Sequence, residues 1–373
     1  MLASTRNGIS RVTNGSEPNL NAKRAFRSIL TRTAPAQKQA GVVVRWYDET
    51  KQRETRLRRR NTIAAFDTEG GTMELPVGGG LAVRHRSIVD LSASYRARLK
   101  GIHLLQQGDV EPEAWVPVDA RTYSTLHIDL PRSIPVLKTI IDEVVDSKGF
   151  TDDVLDSFKT DKSGPMIDLE KALFPILGDR LSVASGIGPT KAWLLSIHVN
   201  NAAQAKKALQ QIHDKDPEAQ QVSDTPYVIQ IREPDGDLPF PPGAPPPPTQ
   251  AGQAPVRGIA VHQGQILLSN DASVLIKAIT RAPNAQQRAT LVRQIADLQK
   301  GMPTGHGRFF TLTDEVSTVP PILRKFVSAL GQTSHIYLAS TLFGREQRSG
   351  LTVQKSPSGF AVEGSVFSKP LAK

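Results

Sequence analysis

The chain has no cysteine, little aromatic content and no long apolar run. Without cysteine, disulfide frameworks, thiolate zinc sites and cysteine nucleophiles are excluded. With 5% Phe, Trp and Tyr, the cores have to be built from Val, Ile, Leu and Ala. No stretch approaches the roughly 18 consecutive apolar residues that a membrane-spanning helix needs. The first 40 residues are polar and basic, and contain no hydrophobic signal-peptide centre. Nucleotide and hydrolase signatures are missing as well: there is no GxxxxGK[ST] and no GxSxG elbow. Gly78-Gly79-Gly80 lacks the GxGxxG spacing of a phosphate cradle.

What is present is ordinary globular material of 373 residues, 39% hydrophobic and 22% charged, enough for two or three domains. The net charge of +10 is unevenly placed. Residues 1–110 hold 19 Lys and Arg against 9 Asp and Glu, and the remainder holds 27 of each. Attraction to a polyanion therefore belongs to the N-terminal third.

Residues 1–38 lack periodicity and read as a disordered arm. Residues 39–110 read as a basic, β-rich region. Val42, Val44 and Trp46 alternate, and Arg53, Thr55, Leu57 and Arg59 continue with period two. Further strands flank a Gly70-Gly71 turn. The spacing of Ile88, Leu91, Tyr95, Leu99 and Ile102 predicts an amphipathic helix.

A first α+β unit spans 111–282. It holds a strand over Tyr123–Asp129, a helix beginning near Pro135, and a helix capped by Asp168 and closed by a left-handed Gly178. Strands follow at 180–184 and 192–199, a helix near Asn201, and strands at 228–231, 258–262 and 265–269. The proline-rich loop 233–256 joins strands that look like sheet neighbours, so it reads as a long hairpin loop, not an interdomain linker.

A second unit, 283–373, repeats the pattern. Leu126 to Asp129 is echoed by Leu312 to Asp314, and Leu177 to Ser185 by Leu330 to Ser340. This internal repeat predicts two related strand–helix–strand–strand units. The fold class expected is thus α+β, with antiparallel sheets and helices packed on one face.

Few residues invite a chemical reading. His127 and Asp129, two apart on a strand, share a face and could serve an acid/base pair or a metal. No third ligand stands at a recognisable distance, so a strand-face hydrogen bond is the preferred reading. The acidic stretch from Asp142 to Asp161 lacks the alternating ligands and central glycine of a calcium loop. No catalytic, metal or cofactor role is assigned, and no cofactor is expected. Arg53, Arg56, Arg58, Arg59 and Arg60, with Trp46 beside them, form a candidate polyanion-binding patch. The competing reading, an edge strand protected by charge, is preferred.

The entry Trp115-Val116-Pro117, the segment DLEK…LGDR from Asp168 to Arg180 and the step GQILLSND from Gly264 to Asp271 resemble a family. It comprises uncharacterised, exported bacterial proteins of the planctomycete type, related to a domain of unknown function. The resemblance covers about residues 113–280. It implies an extracytoplasmic location and names no catalytic residue. The function expected is a non-catalytic binding or structural protein of the bacterial cell envelope, periplasmic if the true start carries a signal sequence, with an unknown protein or envelope component as partner. The alternative is a cytoplasmic nucleic-acid-associated protein using the basic third.

Overall fold

The computed structural model describes residues 31, 41–48, 66–75, 81–107, 110–144, 147–162, 164–189, 192–232, 256–281, 283–300, 302–312 and 347–368. It is a mixed helix and antiparallel sheet architecture. The strands are β1 (Gly41–Asp48), β2 (Phe66–Leu75), β3 (Leu81–Leu91), β4 (Thr122–His127), β5 (Leu177–Ile187), β6 (Ala192–Val199) and β7 (Ala219–Asp224). They continue as β8 (Tyr227–Arg232), β9 (Val256–His262), β10 (Gln265–Ser269), β11 (Gly307–Thr311), β12 (Gln347–Ser356) and β13 (Gly359–Ser368). All thirteen join one sheet in the order β1-β2-β3-β13-β12-β11-β4-β5-β6-β10-β9-β8-β7. Strands from either side of residues 110 and 282 are therefore bonded neighbours.

The helices are α1 (Ala93–Leu99), α2 (Leu130–Val144), α3 (Phe150–Thr160), α4 (Leu169–Ala172), α5 (Ala202–Lys215), α6 (Ala272–Thr280) and α7 (Ala285–Gln299). They do not share one side of the sheet. Residues opposite one another in antiparallel register lie on the same face. Tyr123, Ala184 and Leu194 are linked this way, as are Ser196, Leu267, Ala260 and Val228. Because Leu194 and Ser196 are two apart on β6, both sets share a face, and their apolar members form one core with α6 and α7. The intervening residues, among them Leu126, Leu181, Ile197 and Ile266, pack against α1, α2 and α5 on the back. The expectation of one helical face is corrected by this. The central strands are apolar at consecutive positions, Leu194-Leu195 and Ile266-Leu267-Leu268 for example, and so need cover on both sides. On the front, Gly258 lets α6 settle onto the sheet: a Cβ there would lie 2.9 Å from the Ala272 Cα.

Other expectations shift locally. The helix read from Ile88 begins only at Ala93, because β3 runs to Leu91 between β2 and β13. Leu91, Leu99 and Ile102 still enter the same back core, which is why the spacing looked helical. β2 passes straight through Gly70 and Gly71, which pair with Trp46 and Arg45 of β1. Pro135 lies inside α2, which starts at Leu130. Asp168 does cap α4, accepting from the Lys171 N–H, but α4 is four residues long, and a 3-10 turn at Phe174–Ile176 follows. Gly178 belongs to β5, where the Leu177 strand start leaves no helix to cap. The hairpin across the proline-rich loop is present as expected: β8 pairs with β9, Val228 opposite Ala260. The helix and strand foreseen near 319–342, on which the repeat depends, lie outside the described residues.

Candidate functional site

The feature that stands out chemically is a polar row across the front face. Reading the registers strand by strand, Ser196 of β6 lies opposite Ser182 of β5, then Thr125 of β4 and Arg308 of β11. Beyond Arg308 come Thr352 of β12, Glu363 of β13, Arg86 of β3 and Thr72 of β2. Most of the row is buried, Thr352 and Ser182 almost completely. A polar group taken out of water needs a partner. Along the row those partners are largely one another. Arg308 donates from Nη1 to Thr352 Oγ1 at 2.8 Å, and Arg86 Nε meets Glu363 Oε1 at 3.2 Å. Ser196 Oγ donates to Gln265 Oε1 at 3.0 Å.

The densest part is centred on Glu113, in the loop 110–121 that crosses the front face. Trp115, Val116 and Ala120 anchor this loop in the front core. Glu113 Oε1 meets Arg180 Nε at 3.1 Å and accepts from Ser182 Oγ at 2.5 Å. Its Oε2 accepts from Tyr123 Oη at 2.5 Å. Arg180 also donates from Nη2 to Tyr123 Oη at 2.8 Å and to the Glu111 carbonyl at 2.9 Å. Burial, with Glu113 beside it, pushes the Tyr123 hydroxyl well above the ordinary phenol range. Arg288 of α7 donates to the Glu113 carbonyl at 2.5 Å and so fixes the loop from above. Sequence reasoning missed this cluster. Glu113, Tyr123 and Arg180 are 10 to 67 positions apart, and only the strand register brings them together.

His127 ends β4 on this same face, 3% exposed. Its Nε2 has no hydrogen-bond partner among the described residues. Burial lowers its pKa to about 4; Arg180 and Arg308 act in the same sense and Asp179 opposes them. Asp129 does not pair with it. The strand ends at His127, and Asp129 opens α2, its Oδ1 accepting from the Arg132 N–H at 3.2 Å. Asp129→Ala is expected to cost about 1 kcal/mol in chemical denaturation, as loss of a helix cap does. A cost above about 3 kcal/mol would contradict that assignment.

The acidic stretch is likewise structural. Asp142 accepts from the Thr151 hydroxyl at 2.6 Å and from the N–H groups of Thr151 and Gly149, each at 2.8 Å. These bonds, the hydroxyl's first, hold its carboxyl below the usual range. No group of three or more His, Asp or Glu able to hold a metal occurs among the described residues. Of the candidate polyanion patch, Trp46 lies in β1 opposite Gly70. Arg53, Arg56, Arg58, Arg59 and Arg60 lie outside the described residues, as does Gly78-Gly79-Gly80. No helix among the described residues is long and apolar enough to cross a membrane.

The fold and the row define a class, a wide antiparallel sheet covered by helices on both faces and crossed by a buried polar ladder. No protein-family model, curated protein or solved structure matches the chain.

Proposed function

We propose that the protein is a non-catalytic binding or structural component of the bacterial cell envelope, acting in the periplasm on an unknown protein or envelope partner. One observation carries the non-catalytic part. The charged and hydroxyl groups concentrated on the front face are spent on one another, with Glu113 taken up by Arg180, Ser182 and Tyr123. A carboxylate holding three donors is a poor base and a good structural tie. The envelope assignment rests on the resemblance of residues 113–280, and the two related units belong to the same reading. Fractionation of the native organism, with marker enzymes for each compartment, tests it. Recovery with the periplasmic or envelope markers is expected, and recovery only with the cytoplasmic markers overturns it.

A second reading, a cytoplasmic nucleic-acid-associated protein, is favoured by one fact: the whole +10 excess falls in residues 1–110. Weak, non-specific polyanion binding is expected there. Such binding falls by orders of magnitude between about 50 and 200 mM salt when several phosphates are contacted. Changing Arg56, Arg58, Arg59 and Arg60 together to Ser should flatten the salt slope of single-stranded DNA binding. Four Lys changes beyond residue 150 should leave it alone. Tight, sequence-selective binding that survives high salt would put this reading first.

A further inference from the structure

We propose that His127 is an acid-responsive latch: uncharged, it lets the ribbon of residues 103–107 close the sheet where β11 begins, and charged, it releases that ribbon.

The geometry starts from the backbone. His127 donates its N–H to the His306 carbonyl at 2.8 Å and accepts from the Leu105 N–H at 2.9 Å. The ribbon is fastened on either side of that point. Asp129 N–H donates to the His103 carbonyl, Leu104 bridges to Ile128, and Gln107 and Gly305 exchange both backbone bonds. His103 N–H also donates to Ser133 Oγ at 2.9 Å, Gln106 Nε2 donates to Thr304 Oγ1 at 3.0 Å and Leu104 packs on the back core, while the side chains of Leu105, Gln106 and Gln107 are exposed. The His127 backbone thus bonds both to the residue preceding β11 and to the ribbon, while its own side chain is buried on the front face.

That side chain is badly placed to carry charge. An imidazolium needs acceptors at both ring nitrogens, and Nε2 has none among the described residues. The titratable groups on the elements packed around it are Arg180 and Asp179 on β5, Arg308 and His306 at β11, and His103 on the ribbon. Arg180 is directly opposite His127 in register, and Arg308, opposite Thr125, lies diagonally across, two residues along. Both are cations. Of the nearby carboxylates, Asp179 is exposed and engaged by His198 Nδ1 at 3.1 Å, Glu113 is taken up by Arg180, and Asp129 caps α2. Protonation therefore favours whichever local state gives the ring water, and the proposed opening is at the ribbon, which is bonded to the His127 backbone itself. The lowered pKa of His127 agrees in sign: the closed form binds the proton less readily than an open one.

Hydrogen exchange read by mass spectrometry on the full chain tests this, with rates corrected for the intrinsic pH dependence. Between pH 7.5 and pH 5.0, protection of a peptide covering 103–109 is expected to fall about tenfold or more through local opening, while peptides from α5 and β6 follow the global stability that urea unfolding gives at each pH. His127→Gln, neutral at both pH values, should show no such change. An unchanged wild type, or the same loss in H127Q, overturns the proposal. A ribbon whose protection merely tracks the urea-measured global stability does so too, because it then reports global unfolding alone. Should H127Q fail to fold, the His127 ring resonance decides. Its titration must coincide with ribbon opening, and opening while the ring stays neutral overturns the latch.

Discussion

Replacing Glu113 by Ala is expected to destabilise the protein by about 3 kcal/mol, among the larger effects any single substitution should produce. The Glu113 side chain is 7% exposed and that of Arg180 26%. Removing the carboxylate leaves the guanidinium without its counter-charge and strips the Tyr123 and Ser182 hydroxyls of their acceptor. A fully buried pair would lose up to about 5 kcal/mol, and the partial access of Arg180 to water sets the lower figure. Glu113→Gln, which keeps an acceptor of the same shape, should cost about half as much. Combining Glu113→Ala with Arg180→Met should recover part of the loss, because the orphaned charge is then gone. Urea unfolding of the three variants gives the comparison. A loss below about 0.5 kcal/mol for Glu113→Ala would show that the cluster does not tie the loop to the sheet.

Local signals in the sequence carried the fold well wherever a residue acts on its immediate neighbours. Asp168 does accept from a helix N–H group three residues on, and the helix foreseen near Asn201 starts at Ala202. The alternation in 42–46 marks a strand, and the strands around the proline-rich loop do pair. Errors arose where one apolar spacing serves two geometries. Ile88 and Leu91 are three apart whether they sit on a helix or at the end of a strand, and pairing with β2 and β13 decides for the strand. The one-face expectation failed for a related reason. Consecutive apolar residues such as Leu194 and Leu195 look like a single core signal, yet they point to opposite sides of the sheet.

The site was far less legible. His127 was singled out for its spacing to Asp129, but its burial and its cationic neighbours come from β5 and β11, more than fifty positions away in sequence. The polar row has no linear trace. Ser182, Thr125, Arg308 and Thr352 are each an ordinary polar residue in a strand, and only register turns them into neighbours. What the sequence could show is that β4 reads Thr-Tyr-Ser-Thr-Leu-His, too polar for a strand central to a large sheet. A polar strand buried on both sides implies partners on the adjoining strands.

Global stability should fall steeply as the pH drops from about 6.5 to 4, through a second, larger effect than any latch. His85 is completely enclosed in β3, and burial lowers its pKa to about 4, as it does for His127. In the unfolded chain both return to the ordinary value near 6.5. Below that pH the unfolded state binds more protons than the folded one, so stability rises with pH throughout the interval between the two pKa values. Above about 6.5 neither histidine contributes a slope, and below about 4 both forms are protonated and the slope vanishes. At pH 5 each should cost on the order of 2 kcal/mol relative to pH 7.5, and the two together on the order of 4 kcal/mol. Asp142, Glu143 and Asp168, whose carboxyls are held low, add a loss of the same sign at still lower pH. Urea midpoints taken every half unit from pH 7.5 to 4 should trace this curve. The variant His85→Gln should remove close to half of the slope, with the rest removed by His127→Gln. A stability flat across that range would mean that both rings reach water in the native protein, and would overturn the enclosed placement of His85 and His127 together.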